Sequence, residues 1–241
     1  MADDQGFSAY LVTDIAQYGW WSFAGGGRGQ LNCLWFPVDG EDEAALLGSV
    51  TSAWSDQRWL GMGTAYAPQG KPSPERFSAR FPGLVEEVFA SSESADARGF
   101  SSASEWGVID PLSAQFESFF RRLRQSRGKG WCLALSSRDV SLRTWYALSA
   151  GFWWRAALAI NSEASTLEEI DRSIIGEYLA CAVEQGYLPL FPLDNHPYGG
   201  IVLFGKSADL VGLAEKVPQI PTVESAEFVE SIWRNGGGPA C

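Results

Sequence analysis

His196 is the only histidine in the chain, so acid–base work near neutral pH rests on one imidazole. It lies in Leu193-Asp194-Asn195-His196-Pro197-Tyr198-Gly199-Gly200. Asp194 is close enough in sequence to orient the ring as a general base, with Tyr198 nearby. The plainer reading is a turn, because Asp, Asn, Pro and Gly all favour turns. A metal site made of several histidines is excluded. A Ser-His-Asp hydrolase would have to use His196, and no G-x-S-x-G elbow supplies its serine.

Carboxylates are the other source of chemistry. Glu105 beside Trp106, together with Asp110, is the pair a glycan-acting enzyme would need in an indole-lined cleft. Asp110 has a competing duty, since Asp before Pro111 is a favoured helix start. Gly200 to Ser207 spells the phosphate-loop pattern, but Ile201-Val202-Leu203-Phe204 reads as a strand where that loop must be pliable. Gln125-Ser126-Arg127-Gly128-Lys129-Gly130 matches the acyl-CoA pattern of acetyltransferases, with strand and helix in the reverse order. Neither string predicts a cofactor, and none is expected. The four cysteines, Cys33, Cys132, Cys181 and Cys241, form no C-x-x-C pair, so neither a zinc ribbon nor a thioredoxin motif is predicted.

Charge is the stronger signal. The formal net charge is −11, and the acids cluster. Asp39, Glu41, Asp42 and Glu43 form one group; Glu168, Glu169 and Asp171 a second; Glu227 and Glu230 a third; Asp194 stands alone. Such a field repels nucleic acid and anionic membrane and draws in basic proteins. These residues are the predicted partner-binding set. Arg121, Arg122, Arg124, Arg127 and Lys129 form the one basic cluster, placed to complement a helix C-terminus. Eleven tryptophans mean that most are core, with one or two left as anchors for a partner.

The elements that must position these groups read as α+β. Short aromatic and β-branched runs open the chain: Phe7–Ile15, Gly19–Ala24 and Gln30–Val38. The glycines at 25–27 and 29 give a hairpin signal between the second and third. Residues 41–54 recur at helical spacing. Trp59–Tyr66 reads as a strand, 67–82 as a proline-rich loop, 84–90 as a short helix and 91–104 as a flexible loop. Two longer helices are expected, at about 111–127 and 166–185, the second opened by the capping box Ser165-Thr166-Leu167-Glu168. Trp131–Ser136, Phe152–Ile160, Tyr187–Phe191 and Ile201–Phe204 read as strands, and 142–149 as either type. Ser207 and Thr222 are expected to cap short terminal helices.

The expected architecture is a mainly antiparallel sheet with N-terminal hairpins, packed by these helices. One domain is expected over 1–235, with a disordered tail at 236–241; two lobes divided near 91–104 are the alternative. The polar start and the lack of a long apolar run fit a cytoplasmic protein.

The predicted function is non-catalytic: an acidic cytosolic protein that sequesters or neutralises a basic protein partner. Bacterial immunity proteins share this composition. The strand pair around 188–206 followed by Phe228–Trp233 is loosely similar to the end of one immunity-protein superfamily, over about a fifth of the chain. That similarity would make the partner a toxin. The alternatives are an enzyme on a small molecule or glycan, using either His196 oriented by Asp194 or a carboxylate pair that includes Glu105, and an assembly component of a phage or secretion system.

Overall fold

The computed structural model describes residues 6–13, 31–38, 40–68, 77–88, 92–95, 100–125, 131–137, 139–149, 177–193 and 200–224. The strands are β1 (Ala9–Val12), β2 (Asn32–Phe36), β3 (Arg58–Pro68), β4 (Val85–Val88), β5 (Ser92–Ala95), β6 (Phe100–Ile109), β7 (Trp131–Ser136), β8 (Tyr187–Leu193), β9 (Gly200–Gly205) and β10 (Val223–Glu224). The helices are α1 (Gly40–Ala53), α2 (Phe77–Arg80), α3 (Phe116–Gln125), the helical residues 142–149 (α4) and 177–184 (α5), and α6 (Ser207–Ala214).

The strands form one ten-stranded sheet in the order β10-β1-β2-β9-β8-β7-β3-β6-β4, with β5 also pairing β6. Every pairing is antiparallel except β1 with β10. The chain is therefore α+β with a mostly antiparallel sheet. Among the described residues no helix is long and apolar enough to cross a membrane.

The strands β2, β7 and β9 are buried at every position, which an antiparallel sheet wet on one side would not show. Side chains of these strands and of β8 alternate between two cores. Leu34, Phe36, Leu133, Leu135, Leu188, Leu190, Ile201 and Leu203 point to the side packed by α1, α2, α3 and α6. Cys33, Trp35, Cys132, Ala134, Val202 and Phe204 point to the side packed by α4 and α5. Helices thus cover both faces. The tryptophans are largely interior: Trp35, Trp54, Trp59, Trp106, Trp131 and Trp145 are all buried. Trp54 Nε1 donates to the Leu213 carbonyl at 2.8 Å, tying α1 to α6.

Several local expectations change. Residues 85–88 are a strand, not part of a helix, and 92–95 and 100–104 are strands in the segment read as a flexible loop. The helix expected from 111 starts at Phe116. Ahead of it, Asp110 Oδ1 accepts the Leu112 N–H at 2.9 Å and Ser113 Oγ accepts the Gln115 N–H at 3.2 Å. These side chains satisfy the backbone in turns and so delay the helix. Residues 142–149 are helical. The N-cap of α6 is Lys206, with no side-chain cap bond, and Thr222 leads into β10 rather than a helix. The runs Gly19–Ala24 and Phe152–Ile160, the first part of the 166–185 helix and the 236–241 tail lie outside the described residues.

Candidate functional site

Three members of the predicted basic cluster, Arg121, Arg122 and Arg124, lie on α3 and are engaged within the fold, while Arg127 and Lys129 lie outside the described residues. Arg121 pairs with Glu117 at 2.7 Å, the Arg122 guanidinium lies 5.8 Å from the Trp131 ring centroid, and Arg124 pairs with Glu43 of α1. Glu43 is therefore engaged within the fold, bridging two helices, while Asp42 beside it is exposed. Glu41 lies in α1, with its side chain outside the described set. Asp39, Glu168, Glu169, Asp171, Asp194, His196, Glu227 and Glu230 also lie outside the described residues.

Glu105 is described, and its environment is that of an anchor. It is 5% exposed in the middle of β6. Its carboxylate accepts the Ser78 backbone N–H at 3.3 Å and the Ser78 hydroxyl. Both bonds go to the single turn of α2, whose free N–H groups need an acceptor. Asp110 does not meet Glu105 in a shared cleft. It serves the turn described above and faces a different hollow.

That hollow is the candidate site. It has a volume of about 450 Å³ and lies where the end of α1, the start of β3, β4 and the turn after β6 converge. Trp59, Val108 and Ile109 line it with Thr51 and Gln57; Glu86, Glu87, Asp110 and Arg58 bring charge. Neighbouring residues of a regular strand point to opposite faces. Glu86 and Glu87 nevertheless both line this hollow, because β4 is irregular: Val85 pairs Ile109, Glu87 pairs Val108, and Glu86 is the extra residue. Gly107 permits it, since a Cβ there would stand 2.1 Å from the Glu87 carbonyl oxygen.

No ion pair engages Glu86, Glu87 or Asp110 among the described residues. Arg58 directs Nη1 to the Val140 carbonyl at 3.2 Å. The lining thus carries three carboxylates against one guanidinium. The exposed large aliphatic side chains of the described residues are Leu112, 71% exposed, and Val88, 48% exposed. Leu112 lines the hollow, and Val88 ends the strand that carries its two glutamates. A second hollow of about 220 Å³ adjoins it, sharing Thr51 and Pro111 and bounded by Ala44, Leu47, Gly48, Ala114 and Phe116.

Sequence reasoning missed Glu86 and Glu87, and it placed Asp110 with Glu105 or at a helix start rather than beside these two. Val85-Glu86-Glu87-Val88 lacks the alternation of a half-buried strand, and a bulge is what removes it. The flanking valines were the available signal.

On the other face, Tyr178 Oη lies 3.4 Å from Ser149 Oγ, beside Cys132 and Trp145. Burial holds the Tyr178 phenol well above its usual range, so it stays protonated. Burial also pushes the Cys33 thiol far above the ordinary cysteine range. A thiol that cannot ionise is a poor nucleophile. Iodoacetamide at mild alkaline pH is therefore expected to modify the half-buried Cys181 well before Cys33, and Cys33 only as the protein unfolds. Peptide mapping over time checks this; a native Cys33 rate comparable to that of Cys181 would contradict the burial assigned to it.

Among the described residues no group of three His, Cys, Asp or Glu side chains is arranged to hold a metal ion. The strand reading of 201–204 holds: β9 is buried throughout where a phosphate loop would have to open. No family model, curated protein or solved structure matches the chain.

Proposed function

We propose that this protein is a non-catalytic binding protein that holds a basic partner protein at the acidic corner formed by β4 and the turn after β6. The observation that carries this reading is a coincidence of two features. Carboxylates without an ion pair among the described residues and the exposed aliphatic side chains Leu112 and Val88 occupy the same corner. A surface used for solubility alone would disperse its charge and bury its leucines. A binding surface puts apolar anchors among charges that steer the partner in. The net charge of −11 adds long-range attraction for a cationic protein. Sequestering or neutralising such a partner, as immunity proteins do with toxins, is the biological role this favours.

The test is binding of fluorescent lysine- and arginine-rich peptides, with glutamate-rich peptides of equal length as the control. Basic peptides should bind and acidic ones should not. Raising salt from about 50 to about 300 mM should weaken binding by about tenfold or more. Equal affinity for both peptide classes, or affinity indifferent to salt, would remove the electrostatic reading.

A further inference from the structure

We infer that the two adjoining hollows form a paired recognition site for an extended segment of the partner, one that presents a long cationic side chain and, two residues away, a compact apolar one. The inference rests on the proposed function and adds what the partner must carry.

The first hollow suits an arginine or lysine. Glu86, Glu87 and Asp110 supply acceptors for the head group, and Val108, Pro111 and Leu112 give an apolar wall for the stem. A short acidic or neutral side chain would leave the carboxylates without compensation. The second hollow differs in kind. One wall is a stripe of α1, Ala44, Leu47, Gly48 and Thr51, at spacings of three and four residues along one helix face. The other is Pro111, Ser113, Ala114 and Phe116. Glu117 also borders it, but its carboxylate is engaged by Arg121. Small residues and a buried ring fit a methyl-bearing side chain better than a charge.

Gly48 leaves room at the wall of this second hollow. A Cβ at that position would meet nothing within 4 Å, so the space beside it is open. The shared walls at Thr51 and Pro111 place the two hollows side by side. Alternate residues of an extended chain point the same way about 7 Å apart, so a segment of that form can present side chains to two hollows that share walls.

The experiment is a peptide array at fixed low salt, comparing Arg-Gly-Leu, Leu-Gly-Arg, Arg-Gly-Gly, Arg-Gly-Asp and Ala-Gly-Leu cores in one neutral frame. Proteins tested are the wild type, Gly48→Leu, and a triple variant with Glu86→Gln, Glu87→Gln and Asp110→Asn. One order of the arginine–leucine core should exceed Arg-Gly-Gly by about tenfold, the worth of one well-buried apolar side chain. Gly48→Leu should reduce that core to the Arg-Gly-Gly level while leaving Arg-Gly-Gly itself unchanged. The triple variant should lose all arginine-containing peptides. Gly48→Leu replaces an exposed helix glycine with a strong helix former, so a melting curve at or above the wild type certifies its fold. If arginine peptides bind but the apolar residue is immaterial and Gly48→Leu changes nothing, the paired site is overturned and the acidic reading stands. If no basic peptide binds, both fall.

Discussion

Replacing Gly200 by alanine is expected to lower the stability of the protein by about 4 kcal/mol, far more than a typical glycine substitution. Two independent costs meet at this residue. Its φ is +130°, in a region that a side chain with a Cβ resists. An ideal Cβ would also lie 1.9 Å from the Phe36 carbonyl oxygen and 3.0 Å from the Val38 nitrogen. Those atoms are backbone, so no rotamer change relieves the clash. The chain must pull β9 away from β2, where Phe36 pairs with Ile201. That register holds the middle of the sheet, between β1 and β8. For a domain of this size the loss corresponds to a fall in Tm of roughly 8–16 °C. Denaturant unfolding measures it directly. Gly212→Ala is the control, in α6, where a Cβ would meet nothing and alanine is the better helix former. A Gly200→Ala protein within about 1 kcal/mol of the wild type would mean that the β2–β9 junction is not packed as described.

The strands at the centre of the sheet were legible because both of their faces are buried. Trp131–Leu135, Tyr187–Phe191 and Ile201–Phe204 carry apolar residues without interruption, and runs this short suit strands rather than helices. The apolar stripe of α3 was legible for a related reason: Phe116, Phe119, Phe120 and Leu123 are spaced for one helix face, and all four are buried. The edge was not legible. β4 has one partly buried residue, Val85, and three exposed ones, with an extra residue inserted, so its composition carries no period. β5 and the first part of β6 are serine- and alanine-rich, a composition that reads as a loop until pairing partners are known. Their strand character comes from long-range registry, such as Ser104 with Thr64, rather than from local preference.

The candidate site shares the edge's opacity. Its acids were counted in the charge total, but the predicted clusters followed runs of acids along the chain. Glu43 belonged to such a run and is spent on Arg124. Glu86, Glu87 and Asp110 are brought together by a bulge, a glycine and an Asx turn, three features that sequence spacing does not reveal. Glu105 shows the converse. Its neighbour Trp106 made it resemble a carboxylate in a cleft, and only the fold reveals Ser78 occupying it.

Phe77→Ala is the companion test, of packing on β3, with an expected loss of about 3–5 kcal/mol. Phe77 is fully buried, and its ring lies 5.2 Å from Phe119, 6.2 Å from Trp131 and 6.3 Å from Phe81, centroid to centroid. It fills a slot that β3 leaves by design of its sequence: Gly61 and Gly63 face it without side chains. A Cβ at Gly61 would come 2.8 Å from its Cζ, and one at Gly63 would come 2.9 Å from its Cβ. Truncation opens a hole whose floor is hydrogen-bonded backbone, between β6 and β7, and such a floor cannot collapse to refill it. The cost should therefore lie in the upper half of the range. α2 is a single turn, held by this ring on one side and by Glu105 on Ser78 at the next residue. Glu105→Gln alone should cost about 1–2 kcal/mol, because the two bonds use both carboxylate oxygens and an amide puts an NH2 donor in place of one of them. The two changes should not add. Once the ring is gone α2 has little reason to stay docked, and the carboxylate has less left to hold. A double-mutant cycle by urea unfolding should show the pair costing about 1 kcal/mol less than the two singles together. Strict additivity would mean that ring and carboxylate act on separate units, and that Glu105 is buried for some purpose other than holding α2.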